Sequence, residues 1–220
     1  MLVLPEKRKY GLALHTTSGE LGIAIGDFTN DRRSQTWELG VELSTHLHDI
    51  LSKFIYPQTW EDLAFMAVAI GPGSFTSTRI GVVTARTIAQ QLDIPLFTVS
   101  SLAAYSSFVS SHLSFEKEGG LSKQVAVQLP AHRGEIFVAI YKVAGNDAGV
   151  VELLPDAVMK PEKWEETLAN WPDIYELIEA PKNLGGSVTS VLELAYLDWQ
   201  KGLRPHWSEA LPFYGQHPIE

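Results

Sequence analysis

Cysteine is absent from the 220-residue chain, which excludes disulfides, thiol nucleophiles and cysteine-ligated metals at once. A surplus of positive charge is also missing. Seventeen Lys and Arg face 26 Asp and Glu, a net charge of −9, and such a surface is poorly suited to grip nucleic acid by itself. No apolar run approaches the roughly 20 residues of a membrane span. The opening MLVLPEKRKY breaks, with a proline and a charge cluster, the apolar stretch that a signal peptide needs. These lacks lead to the expectation of a soluble, cytoplasmic protein with no membrane contact. What is present is ordinary for a globular protein: 45% hydrophobic, 20% charged, and long enough for one or two domains.

The stretch from Leu63 to Leu92 organises the rest. Leu63–Ile70 is a continuous apolar run too short for a helix core and is read as a buried strand. Gly71-Pro72-Gly73 ends it, since proline cannot donate to a sheet and glycine accepts unusual φ. Ser74 or Thr76 can cap the helix that follows, which runs to about Leu92 before Asp93 and Pro95. On that helix Ser77, Gly81, Ala85 and Ala89 recur at every fourth position, a smooth stripe flanked by Ile80, Thr84, Thr87 and Ile88. Two readings are open: packing inside the domain, or a contact between subunits.

Around this unit the chain reads as Tyr10–Thr16 and Leu21–Gly26 (strands), Ser34–Leu39 (strand), and a helix over 40–56 whose Leu43, Leu47, Ile50, Leu51, Phe54 and Ile55 share one face. Leu96–Val99 is a short strand, and Ser100-Ser101 opens a helix to about Val109. Phe115–Gly120 is the best boundary, dividing the chain into 1–112 and 113–220. The second part offers strands at Lys123–Leu129, Glu135–Val143, Val150–Leu154 and Ile174–Ile178. A turn is expected at Gly145–Gly149. Helices are expected over Lys160–Asn170, with Pro161 in the first turn, and from Ser187 to about Lys201. The last of these is expected to pack back on the first half. Both halves repeat the order meander, helix, strand, helix, with one further strand and helix in the first. That order predicts an α/β fold of two ribonuclease H-like halves, each a mixed sheet with helices, as in actin, the heat-shock ATPases and sugar kinases.

The run GPGSFTSTRIG, Gly71 to Gly81, resembles the G-P-G-S-F-T-G-x-R-x-G signature of the TsaB (YeaZ) family, with Ser77 where the family usually has glycine. AHRGEIFVAIY (Ala131–Tyr141) is similar to its A-R-x-G-E-V-Y segment, Pro155–Pro161 to the loop after it, and Pro212 with Tyr214 to its P-x-Y. The resemblance spans nearly the whole chain. It implies a bacterial partner of the TsaD enzyme in threonylcarbamoyl-adenosine modification of transfer RNA. Three departures stand out: His15 where relatives carry an aspartate in the first strand, Pro130 where they carry I-D-A-R, and Gln216 after the P-x-Y. Neither histidine nor proline can replace an aspartate as an oxygen ligand for magnesium.

The remaining candidates are weaker. Gly71, Pro72, Gly73 and Ser74 look like a phosphate loop, but no lysine lies between Gly71 and Gly81 and Pro72 removes an amide, so a structural turn is expected. Ser74 lacks the surroundings of a nucleophile and is expected to cap the helix. Of His15, His46, His48, His112, His132, His206 and His217, only His46 and His48 are near each other, and on a helix they diverge. No zinc motif occurs. Arg79 either meets a partner or pairs with a carboxylate such as Asp62. Glu135 either serves a site or simply pairs in a strand.

The expected function is therefore a non-catalytic scaffold that binds and activates a TsaD-type enzyme, with no cofactor, metal or catalytic residue of its own. A TsaE-type ATPase is a further expected partner, a homodimer is expected in isolation, and tRNA would be met only through the complex. The expected contact surface comprises Leu43, Leu47, Ile50, Phe75, Ser77, Arg79, Ile80, Gly81, Thr84, Ala85 and Ile88, and Gly81→Leu is expected to break it with the fold intact. The alternative is a stand-alone ATP-dependent kinase-like enzyme or a peptidase, with a dimeric module serving another partner as a third reading.

Overall fold

Two mixed sheets carry the chain. A computed structural model describes residues 9–112, 123–143 and 149–215, and the boundary segment Phe115–Gly120, most of the turn expected at Gly145–Gly149, Gln216 and His217 lie outside them. In the first half, β1 (Tyr10–His15), β2 (Glu20–Gly26) and β3 (Arg32–Glu38) form an antiparallel meander; then come α1 (Leu43–Phe54), β4 (Leu63–Ala69), α2 (Phe75–Leu92), β5 (Leu96–Val99) and α3 (Ser101–His112). The second half repeats the plan with β6 (Lys123–Pro130), β7 (Ile136–Val143), β8 (Val150–Met159), α4 (Pro161–Ala169), β9 (Tyr175–Glu179) and α5 (Val188–Gln200). Strand order is β3-β2-β1-β4-β5 in one sheet and β8-β7-β6-β9 in the other. β4 runs parallel to β1 and β5, and β9 parallel to β6. This is the two-fold ribonuclease H-like, actin-like architecture expected from the order of elements.

The central strands are buried on both faces, and side-chain size decides what covers each. Leu12, Leu14, Ile23, Ile25, Met66 and Val68 point to the outer face, where Leu43, Leu47 and Leu51 of α1 and Val82, Ala85 and Ala89 of α2 meet them. Fully burying a leucine contributes about 1.5–3 kcal/mol. The other face is shaved to Ala13, Ala24, Ala67 and Ala69, so that α5 can lie close with Val188, Val191, Leu192 and Ala195. The closest approach is at Gly22 on β2, where a Cβ would sit 2.9 Å from the carbonyl carbon of Gly185. Alternation at period two thus sorts most of the large residues outward, with Phe65 the large exception, stacked on Trp199 of α5.

α3 and α5 occupy the layer between the sheets. Leu102 of α3 packs with Val125, Val127 and Tyr141 of the second sheet, while Ala104 joins the cluster around α5. α4 covers the far face of the second sheet with Trp164 and Leu168. One strand is longer than its sequence suggests: β8 continues through Pro155 to Met159. It is an edge strand, and its register with β7 shifts near Ile140, so a residue without an N–H is tolerated there.

Candidate functional site

The G-P-G-S turn is braced from four sides. Ser74 N donates to Thr17 O (2.7 Å), Ser101 N to Gly71 O (2.8 Å), Phe213 N to Ile70 O (2.7 Å), and Ile70 N to Val99 O (3.0 Å). The β1–β2 turn, the start of α3 and the C-terminal segment therefore converge on Gly71–Ser74. The glycines are required by proximity: a Cβ on Gly73 would lie 3.0 Å from the carbonyl carbon of Thr17 and closer still to its oxygen, and one on Gly71, at φ +107°, would meet Phe213 O at 3.1 Å. Because the Ser74 amide is already bonded to Thr17, it is not free to cradle a phosphate.

Ser74 holds the N-cap position of α2, but its side chain makes no capping bond. Its backbone oxygen instead accepts from Thr78 N (3.0 Å) and Thr78 Oγ1 (2.6 Å), and its hydroxyl donates to Ser77 Oγ (3.1 Å). The expected cap is thus replaced by a bond from Thr78 back to the turn. A serine whose hydroxyl meets only another hydroxyl has no base to activate it.

The small-residue stripe faces inward. Thr16 Oγ1 donates to Ser77 O at 2.9 Å, directly under Gly81. A Cβ on Gly81 would fall 3.0 Å from Thr16 Cβ and Cγ2, and inside contact of Oγ1. Gly81, Thr84 and Ala85 are buried, and so are Leu43 and Leu47 of α1. These five are therefore corrected from contact surface to core: the glycine admits the β1 end, not a partner helix. Ile50, Ser77, Ile80 and Ile88 are half-buried, and Arg79 is exposed.

What faces solvent on this layer includes two residues that sequence reading missed. Val83 is 58% exposed on α2, and Val41 is 93% exposed in the 3-10 turn Gly40–Glu42 ahead of α1. The adjacent pair Val82-Val83 carried the signal, because with Val82 packed on the sheet Val83 lies about 100° further round α2. One turn before Val83, Arg79 lies over the Phe75 ring (5.4 Å to centroid), and Phe75 packs on Tyr214 (4.9 Å). Of the two readings of Arg79, the ion pair with Asp62 is not formed. Asp62 accepts instead from Thr59 N (2.8 Å) and Thr59 Oγ1 (3.1 Å), boxing the turn Trp60–Asp62.

His15 ends β1 fully buried. Its Nδ1 is 3.5 Å from Thr17 Oγ1, and its Nε2 has no partner among the described residues. Burial pushes the imidazole down to about 3, so the ring is neutral at physiological pH. The sign of the pH effect follows: stability from this group is full above its ordinary 6.5 and is lost as pH falls toward 3. Relative to His15→Asn, the wild-type chain should lose up to about 1.4 kcal/mol per pH unit below pH 6.5, measured by urea unfolding at pH 7, 6 and 5. Pro130 ends β6 exposed, and Glu135 closes the β6–β7 turn through Ala131 N to Glu135 O (3.0 Å) and Glu135 N to His132 O (3.2 Å). His46 approaches Glu42 (3.8 Å), and His206 Nδ1 lies 2.7 Å from Ser208 Oγ. Among the described residues no His, Asp and Glu side chains converge as a metal set, and no helix is long and apolar enough to cross a membrane.

Comparison with known proteins gives a consistent set. Residues 50–195 match the model of the family described as TsaD, tRNA N6-adenosine threonylcarbamoyltransferase. The chain is 35% identical over 109 residues to the tRNA threonylcarbamoyladenosine biosynthesis protein TsaB of Bacillus subtilis (strain 168), a match covering 49% of this chain and 42% of that one. It is 30% identical over 145 residues to the protein of that name from Buchnera aphidicola, covering 62% of each. The matches thus span about half of these curated relatives. Among solved structures, YeaZ from Pseudomonas aeruginosa superposes with a TM-score of 0.74 at 20% identity, covering 94% of this chain and 99% of that one.

Proposed function

Because the chain belongs to the TsaD family, and within it to the TsaB (YeaZ) group, we propose that it serves threonylcarbamoylation of adenosine 37 in tRNA as a non-catalytic scaffold for a TsaD-type enzyme. The contact is made by the outer layer of α1 and α2. Its centre is Val83 with Ile80 and Ile88, flanked by Val41, Ile50 and the Arg79–Phe75 pair. One observation carries the reading: on this layer Val83 and Val41 remain exposed although every other large apolar side chain of α1 and α2 is at least half-buried. In isolation a second copy takes the same face, so homodimer and heterodimer compete.

A catalytic role finds no support in the residues at the first strand ends. His15 is neutral and enclosed, and Pro130 has no side-chain oxygen to offer a metal. The net charge of −9 suits a subunit that leaves the RNA grip to its partner. A TsaE-type ATPase would join through the TsaD-type subunit.

Light scattering of the chain alone and mixed with a cognate TsaD-type protein tests the contact. The expected masses are a homodimer alone and a 1:1 heterodimer in the mixture. Val83→Glu should weaken both by about tenfold or more, since a charge would be desolvated at the centre of the patch, with circular dichroism unchanged. Unaltered masses in that variant would refute the assignment of this face.

A further inference from the structure

The second sheet lacks the strand that closes the first. In the first sheet β4 lies between β1 and β5, whereas its counterpart in the second, β9, has β6 on one side and no strand on the other. The other three edges are protected. β8 carries Pro155 and a register shift, β5 gives its Leu96 N to Pro205 O, and β3 opens on Arg32 and Arg33. β9, Tyr175–Glu179, has no proline and pairs with β6 without a shift in register.

Which of its backbone groups face the open side follows from one bond. Ala180 N donates to Gln128 O at 2.8 Å, and Ile178 stands opposite Val127. Backbone N–H and C=O groups alternate sides along a strand, so those of Glu176 and Ile178 point to β6 and those of Tyr175, Leu177 and Glu179 point outward. Among the described residues these three make no backbone hydrogen bond on the outer side. Apolar side chains stand at the same edge: Leu177 is 50% exposed, and Ile174, just ahead of β9, is 95% exposed. The surroundings are acidic. From Lys160 to Glu179 six Asp and Glu stand against two lysines, and although Lys123 reaches Glu176 (3.5 Å), Glu179 is exposed. A second copy of β9 would bring the same carboxylates against these, and like charges across a strand pair are destabilising. A segment rich in lysine or arginine is complementary.

We propose that β9 is a docking edge for an extended, basic segment of another protein, which joins the second sheet in the place that β5 fills in the first. The outward N–H and C=O groups of Tyr175, Leu177 and Glu179 supply the main-chain bonds, and an apolar side chain over Leu177 with a cation beside Glu179 supplies the selectivity. β9 and the α1–α2 face belong to different halves, so this contact is independent of the one made there.

The probe is a capped hexapeptide of alternating lysine and valine, titrated into the isotope-labelled full chain and followed by NMR. The largest amide shifts should fall on Tyr175, Leu177 and Glu179. The same peptide with every backbone nitrogen methylated keeps its charge but loses its donors, and should bind about tenfold more weakly or worse. Leu177→Pro removes an outward N–H without touching the bonds to β6, and should weaken binding to a similar degree. Glu179→Lys should weaken it as well and favour a peptide of alternating glutamate and valine. Should Leu177→Pro fail to fold, the methylated peptide and Glu179→Lys decide. Equal binding of the methylated peptide, or shifts centred away from β9, would overturn the proposal. So would concentration-dependent shifts of these three amides in the chain alone, which would make a second copy the occupant.

Discussion

Gly81→Leu should strongly destabilise the first half of the protein and not merely release a partner. Thr16 lies beneath this glycine, and its hydroxyl ties the end of β1 to α2 through Ser77 O. Even a methyl group would overlap Thr16 Oγ1; a leucine must displace α2 from β1, in a core where Ala85 and Ala89 leave no slack. Overpacking typically costs 1–3 kcal/mol, and here a buried hydrogen bond is lost in addition, so a loss of about 3 kcal/mol or more is expected in urea unfolding. Gly81→Ala, which Thr16 can meet by rotating away from Ser77, should lose about 1–2 kcal/mol. A Gly81→Leu protein with wild-type unfolding midpoint and altered oligomeric state would restore the stripe as a subunit contact.

Gly73→Ala should be nearly as damaging, because the obstacle is backbone. The added carbon would press on the Thr17 carbonyl, which cannot rotate aside. The turn must shift, straining the bonds Ser74 N–Thr17 O and Ser101 N–Gly71 O and drawing Phe213 from Ile70. At about 1 kcal/mol net for each bond, a loss of about 2–3 kcal/mol is expected. The Phe75–Tyr214 ring contact should weaken with it, since the C-terminal segment is hung on this turn. NMR cross-peaks between these rings check the second point, and thermal unfolding checks the first. Ser74→Ala, one residue on, should change stability by less than about 0.5 kcal/mol, because its exposed hydroxyl bonds only to Ser77 and caps nothing. The contrast between neighbours separates a turn built on backbone proximity from one built on side-chain chemistry.

The fold was legible wherever local pattern sufficed. The apolar run before Gly71, the glycines and the eighteen-residue helix after them fall where the sequence places them, and so does the repeated meander-helix-strand-helix order. The direction in which a surface points was less legible. Ser77, Gly81, Ala85 and Ala89 are small whether a partner helix or Thr16 sits opposite, and Thr16 is 61 positions from its bond partner Ser77. Sequence gives the size of a neighbour but not which neighbour it is. Pro155 reads as a strand end by its own chemistry; only the sheet edge makes it tolerable inside β8. Likewise His15 was visible as a departure from an aspartate, but its burial and neutrality depend on what closes over the end of β1. Asp156 drew no notice, because Tyr141, which donates to it at 2.6 Å, lies on another strand.

The scaffold role meets its most direct test in reconstituted threonylcarbamoylation of tRNA by the cognate purified enzymes, with this chain present, omitted, or replaced by Val83→Glu. The account predicts modification that requires the chain and that falls with Val83→Glu in step with the loss of heterodimer. Equal modification with the chain omitted would contradict it.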